Sequence, residues 1–314
     1  MSVTVRSQVL QGKRLPRDVP VRKVHRRSAD AAAGWLFILA SLVGFLGFYA
    51  LPLVRNLAIS FTRWNMLSPA HPVGLGNYAR VLHDPLFWNS LKVTVEYVLF
   101  NIPLQTVFAL FLAVVMARMT RSIVVRGILI LPYLIPPVVV GLVWLLMLNP
   151  TLGIIDILLR LLGLPRQPFL GSAIQAMPSI AGINNWEYTG FNAILFYAGL
   201  QTVPESLYEA ASLDGASEWR MFWTISLPLL RPVTAFVVIT SIIGSFQVFD
   251  TIAVTTMGGP INATRVVVWY IYEQAFRQFS MGYGAAIATV LFIVLAAISL
   301  VQFRLFRAGS SELQ

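Results

Sequence analysis

Charge is scarce in this chain. Asp, Glu, Lys and Arg together make up 11% of its 314 residues, histidine occurs three times, and cysteine is absent. A water-soluble domain carries roughly 25% charged residues, so this chain has too little charge to cover a water-facing surface. An ordinary cytosolic enzyme is excluded, and a hydrophobic content of 57% excludes a disordered chain. Without cysteine there is no disulfide framework, no Cys-ligated zinc or iron–sulfur site, and no thiol nucleophile. The lysines are Lys13, Lys23 and Lys92, and no GxxxxGKS/T run occurs. The chain therefore has no loop of the kind that cradles ATP phosphates. His25, His71 and His83 all lie outside the apolar runs and no HExxH occurs, so no metal site is expected. Gly171-Ser172 lacks the GxSxG context of a serine nucleophile.

What the chain does have is long apolar runs. They are continuous rather than alternating, which points to helices and not to a barrel. A bilayer core about 30 Å thick takes about 20 such residues per helix. Six spans are expected, at about 31–54, 91–117, 125–149, 173–200, 231–250 and 280–304. The fold class is accordingly an all-α membrane protein. Basic loops stay on the cytoplasmic side. An N-in, C-in chain places 15 of the 23 basic residues inside and 8 outside. Most of that bias comes from residues 1–30, a basic tail without an apolar face. Such a tail suits anionic lipid headgroups, at about 1 kcal/mol per basic residue. It lacks interleaved aromatics and leads directly into a span, so nucleic acid is not an expected partner. Residues 309–314 form a short C-terminal tail.

The outer loops are rich in turn formers and aromatics. Residues 55–90 carry Phe61, Trp64, Tyr78, Phe87 and Trp88, with a short helix expected within 73–88. Residues 151–172 read as a loop with one short helix. Two acids fall within or near spans. Glu96 follows Lys92 by four residues and suits an interfacial ion pair. Glu187 sits either near the outer interface or against a watery cavity.

The inner connection, 201–231, differs from the rest. Glu205, Glu209, Asp214 and Glu218 lie among strong helix formers. Pro204 suits a helix first turn, and Gly215 suits a break between two short helices. Leu207, Ala210, Ala211 and Asp214 share one face, as do Trp219, Phe222 and Trp223. Two amphipathic helices joined by a glycine bend are expected. They either pack on the chain's own membrane domain or dock a soluble partner.

At these residues the chain resembles a known family. Glu209-Ala210-Ala211, Asp214-Gly215-Ala216, Phe222, Ile225, Leu227-Pro228 and Pro232 are similar to the EAA loop of binding-protein-dependent ABC importer permeases. Gly76-Asn77-Tyr78, Asp84-Pro85 and Phe87-Trp88-Asn89 resemble the first outer loop of its carbohydrate branch. Leu131-Pro132 with Pro136 resembles its third core helix. Phe249-Asp250, Gly258-Gly259-Pro260, Thr264, Tyr272, Ala275-Phe276, Gly282 and Ala285-Ala286 resemble its last outer loop and final helix. The likeness covers all but the basic tail and the extreme C-terminus. It is to maltose-type and glycerol-3-phosphate-type permeases of the first-subunit kind.

The resemblance implies a type I importer core over 31–308 whose loop 201–231 inserts into a cytoplasmic ATPase. Glu209, Ala210, Ala211, Asp214, Gly215, Ala216, Phe222 and Pro228 would carry that coupling. It implies a second homologous permease as heterodimer partner, two ATPase subunits that bind the ATP and Mg, and an extracytoplasmic solute-binding protein. The chain itself would be non-catalytic, with no cofactor, in the inner membrane. Gly258, Gly259 and Pro260 would form an outer loop that strips ligand from the binding protein. A sugar path needs hydroxyl-matched polar groups and aromatic faces. The fourth and fifth spans supply Asn184, Tyr188, Phe191, Ser241, Gly244, Ser245, Val248 and Asp250. Packing between helices by small and polar residues accounts equally well for each of these. One rival, an ion-coupled secondary transporter of a polar solute, calls for mid-membrane charge and internal repeats; only Glu187 meets the first and no clear repeat meets the second. The other, a membrane enzyme, needs a nucleophile, metal site or acid–base pair inside the spans.

Overall fold

The computed structural model describes residues 27–119 and 122–310, which are helical almost throughout. Most of the expected basic tail, residues 1–26, and the last four residues of the C-terminal tail lie outside the described residues. The chain divides into two compact units, one through Val54 and one from Arg55 onward.

The described part of the first unit is α1 (Arg27–Phe45), a π-helical stretch (Leu46–Ala50) and the opening of α2 (Leu51–Ser60). The helix is apolar around its circumference, as a lipid-immersed helix must be. Against the expected 31–54, the long apolar helical stretch among the described residues runs from Gly34 to Ser60. A lone arginine near a helix end, here Arg55, does not stop the helix, because its long stem carries the charge to the interface.

In the second unit, two-residue strands β1 (Thr62–Arg63) and β2 (His71–Pro72) pair antiparallel, with Arg63 opposite His71. The chain is thus not wholly α-helical outside its spans. The expected short helix is α3 (Gly76–His83). Next, α4 (Pro85–Met119) begins six residues before the expected 91. Asp84 causes the early start: its Oδ1 accepts the Leu86 backbone N–H at 2.9 Å, and Pro85 fits a first helical turn where no N–H is needed.

The third expected span, 125–149, is not one rod. It is α5 (Ile123–Leu134) and α6 (Pro137–Met147), meeting at 92°. Pro136 forces Ile135 into an extended conformation, with ψ 134°, and removes a helical donor. The outer segment 151–172 holds α7 (Ile154–Leu161), with buried Asp156 paired to Arg160 at 3.3 Å and Arg166 at 3.6 Å.

Then come α8 (Ala176–Leu200), α9 (Glu205–Leu213), α10 (Glu218–Met221), α11 (Leu227–Leu229), α12 (Arg231–Phe246), α13 (Asp250–Thr255), α14 (Val267–Tyr272) and α15 (Met281–Ser310). The expected span 231–250 is therefore interrupted between Phe246 and Asp250.

Among the described residues four stretches are long and apolar enough to cross a membrane: Gly34–Ser60, Pro85–Arg118, Arg231–Thr255 and Met281–Arg304. The bent α5–α6 pair makes a fifth. The remaining expected span, 173–200, falls on α8, which is not among these candidates. At 1.5 Å per residue it is about 37 Å long, enough to cross. It is too polar for a lipid-facing helix because Asn184, Asn185, Glu187, Thr189 and Asn192 are buried inside the protein. It packs along α4 and against α5. A Cβ on Gly190 would lie 1.8 Å from the Leu129 carbonyl oxygen, so glycine there sets the α5–α8 approach. The main core joins Tyr97, Ile180, Trp269, Tyr270, Tyr283 and Ile287.

Candidate solute path and coupling surface

A cavity of about 230 Å³ opens between α4, α5, α8 and the α12–α13 break. All eight residues singled out for a solute path, from Asn184 to Asp250, line it. The unwound stretch Gln247–Phe249 matters here. Ser241, Gly244, Ser245 and Val248 share one face at helical spacing, and the break turns Asp250, which a straight helix would place on the opposite side, toward the same space.

Two kinds of surface meet in the cavity. One is aromatic: Tyr133 stacks on Phe191 with centroids 4.4 Å apart and meets Tyr188 edge-on at 5.6 Å. The other is a chain of amides and hydroxyls. Asn101 donates to Ser245 Oγ at 3.0 Å, and Asn185 donates to Asn101 Oδ1 at 2.8 Å. Thr251 donates to Asn184 Oδ1 at 3.2 Å, and Asn192 to Ser241 Oγ at 3.4 Å. Asp250 is the sole charged residue in the lining. A cavity of this kind offers paired donors and acceptors plus a flat π-face, which suits a polyhydroxylated solute.

Sequence reasoning missed the contribution of α4 and α5. Tyr97, Asn101 and Gln105 recur every four residues within an otherwise apolar run, placing them on one face. That spacing was the available signal. Tyr133 had no signal, because only the bend at Ile135 brings α5 here. Of the two acids, Glu96 makes the expected exposed pair with Lys92, at 3.7 Å. Glu187 is 1% exposed, and its Oε2 has no hydrogen-bond partner.

The inner loop is built as two short helices around Gly215, whose φ is +74°. The Ala216 N–H reaches the Ala211 carbonyl at 3.0 Å and the Gly215 N–H reaches that of Ser212 at 3.0 Å. This is the paired closure of a Schellman motif, which places a left-handed residue at that position. Ser217 then caps α10, accepting the Arg220 N–H at 3.3 Å. Glu209, Ala210, Asp214 and Gly215 are exposed, whereas Ala211, Ala216, Phe222 and Pro228 are half-buried. Leu213 is 89% exposed and Trp219 70%. The loop is tied to a span at one point and closed on itself at another. Arg118, at the end of α4, pairs with Glu218, and Tyr208 bonds Ser226 at 2.8 Å.

At the opposite end of the spans, Gly258 has φ +86°, and a Cβ on it would lie 2.8 Å from Trp269 Nε1. Thr264 Oγ1 donates to the Gly259 carbonyl at 2.6 Å, folding the Gly258-Gly259-Pro260 turn onto the loop stem. Ile261 projects from it, 91% exposed. Asp84 accepts hydrogen bonds from Tyr270 and Tyr283, fastening the α3–α4 corner to α14 and α15. Burial pushes its carboxyl up, but the bonds from Tyr270, Tyr283 and the Leu86 and Phe87 N–H groups outweigh that and hold it below its ordinary value.

An apolar polytopic scaffold, a polar internal cavity and an exposed acidic hairpin define a solute permease driven from outside its own chain. The family described as binding-protein-dependent transport system inner membrane component matches residues 105–308. The chain belongs to that family. It is a multi-pass inner-membrane permease subunit of a binding-protein-dependent ABC importer, the membrane component and not the ATPase.

Among its relatives, the probable ABC transporter permease protein YurN of Bacillus subtilis is 34% identical, over 88% of this chain and 97% of the relative. The sn-glycerol-3-phosphate transport system permease protein UgpA of Agrobacterium fabrum is 38% identical, over 74% of this chain and 80% of the relative. The trehalose/maltose transport system permease protein MalF of Thermococcus litoralis is 35% identical, over 88% and 95%. A bacterial ABC transporter that imports the acidic polysaccharide alginate contains a chain of the same fold, with a TM-score of 0.75 at 24% identity over 90% of this chain and 99% of that one.

Proposed function

We propose that this subunit carries a carbohydrate or a closely related polar solute inward, through the cavity between α4, α5, α8 and the α12–α13 break. The observation that carries this reading is the lining itself: stacked aromatics beside several hydrogen-bonded amide and hydroxyl groups, with no basic residue. The chain crosses the membrane six times, counting α8, with both termini inside. It pairs with a second, homologous permease. Two cytoplasmic ATPase subunits bind ATP and Mg, and a solute-binding protein delivers the ligand at the outer face, where the Gly258–Pro260 turn helps to release it.

The inner hairpin, with Glu209, Ala210, Ala211, Asp214, Gly215, Ala216, Phe222 and Pro228, is the ATPase handle. Closing of the ATPase dimer moves it. The Arg118–Glu218 tie passes that motion to α4, which bounds the cavity, and the Tyr208–Ser226 bond holds the loop together as it moves. The path then opens outward. Hydrolysis and product release return it inward, so the two gates alternate.

The test is uptake by the full transporter in proteoliposomes. Asn184→Ala and Asn192→Ala remove one end of two cavity hydrogen bonds. Both should slow solute uptake several-fold while the ATPase still assembles. Unchanged uptake in both variants would place the path elsewhere.

A further inference from the structure

A second, larger cavity of about 520 Å³ lies where β1, β2, the start of α3 and the start of α15 meet. Its charged lining is two arginines, Arg63 and Arg80, with His71 beside them and no carboxylate. Among the described residues neither arginine has an ion-pair partner, and Arg80 instead lies over the Tyr283 ring, 3.9 Å from its centroid. The Asp84 carboxylate accepts from the hydroxyls of Tyr270 and Tyr283 and makes no ion pair with Arg80. Arg63 and His71 are directly opposite one another across the strand pair, so both side chains flank the same space. The first turns of α3 at Gly76 and of the 30-residue α15 at Gly282 line the same space, their Gly76 and Gly282 N–H groups donating to the Val73 and Trp64 carbonyls. Guanidinium groups favour oxyanions.

The cradle is rigid. Asn77 Nδ2 donates to the Ser60 and Thr62 carbonyls, each at 2.8 Å, and a Cβ on Gly282 would lie 1.9 Å from the Thr62 carbonyl oxygen. Its depth is also defined. Arg63 follows the end of the first apolar stretch at Ser60 by three residues, and Ser280 and Gly282 bracket the start of the last one at Met281. The ends of apolar stretches are where a bilayer's headgroup region begins, and Trp64 in the wall is of a residue type enriched there.

We infer that this cavity is a specific site for the phosphodiester of an anionic phospholipid headgroup. Arg63 and Arg80 grip its oxygens, and the first turn of α15 forms part of the wall. The lipid would fasten the β1–β2 corner to α15, and the inference goes beyond the transport reading without depending on it.

The test is native mass spectrometry of the assembled transporter, together with titration of a fluorescent phosphatidylglycerol into lipid-depleted sample. The wild type should retain one tightly held anionic lipid, and its affinity should fall with added salt. Arg63→Gln/Arg80→Gln should weaken that binding at least tenfold. Arg63→Lys/Arg80→Lys, which keeps the charge, should recover part of it, and all three forms should be equally monodisperse. Equal lipid retention in the wild type and the glutamine variant would overturn the assignment. So would millimolar inorganic phosphate displacing the lipid, which would mark a free-anion site. Loss of stimulation by the solute-binding protein with lipid retention unchanged would mark a protein-docking site instead, and would equally overturn it.

Discussion

Replacing Gly215 separates backbone conformation from side-chain room at the hinge of the coupling hairpin. Its φ is +74°, and a Cβ built there meets nothing within 4 Å. Substitution therefore carries a conformational cost and no clash. For an ordinary L-residue the left-handed region costs about 1–2 kcal/mol, less for Asn, whose short side chain bonds locally. At about 1.4 kcal/mol per factor of ten, Gly215→Ala should lower the population of the bent hairpin by about 5- to 30-fold. Gly215→Asn should lower it less and Gly215→Val more. Reconstituted with its ATPase and binding protein, the series should rank in coupled uptake as Gly, Asn, Ala, Val, with membrane insertion unaffected. Two outcomes refute the reasoning. If all three variants match wild type, the bend is not needed. If all three are equally inactive, the hinge responds to the presence of a side chain and not to φ.

Gly190→Val should destabilise the α5–α8 contact by about 1–3 kcal/mol or more, because the added atoms meet the Leu129 backbone; thermal unfolding in detergent would show it as a lowered midpoint. Asp84→Asn should remove charge-assisted bonds from Tyr270 and Tyr283, costing about 1.5–3 kcal/mol each at most. The Asp84 carboxyl is held below its ordinary 3.8, so its stabilisation is complete above that value and is lost as pH falls through the lower folded value. Acid titration of stability should show that loss in wild type and a flat response in Asp84→Asn. Tyr133→Ala removes the face stacked on Phe191, and uptake kinetics should show a raised KM for the solute with ATPase assembly intact.

The elements that stand on local chemistry were legible in the sequence. The apolar runs announced the spans, and Glu209 to Ala216 announced two short helices around a left-handed glycine, which is how they fold. Of the eight residues from α8 and the α12–α13 segment that line the cavity, the polar ones stand out in apolar runs, whereas Phe191, Gly244 and Val248 were suggested by the family resemblance. What was not legible depends on breaks and distant contacts. The segment 125–149 reads as one span, and neither the break at Pro136 nor the 92° turn of α6 that leaves Tyr133 facing α8 was anticipated. The interruption after Phe246 has no proline at all. The early start of α4 follows from Asp84 acting as a cap, and the β1–β2 pair is only two residues long on each side, too short for a periodic pattern.

The account depends above all on the inner hairpin facing the cell interior and being held by the ATPase. The chain has no cysteine, so Leu213→Cys, at a position 89% exposed, gives a single chemical label. In intact cells it should react with a membrane-permeant maleimide and not with an impermeant one. In the assembled transporter the ATPase should protect it and cross-link to it. Labelling by the impermeant reagent from outside, or equal reactivity with and without the ATPase, would contradict the account.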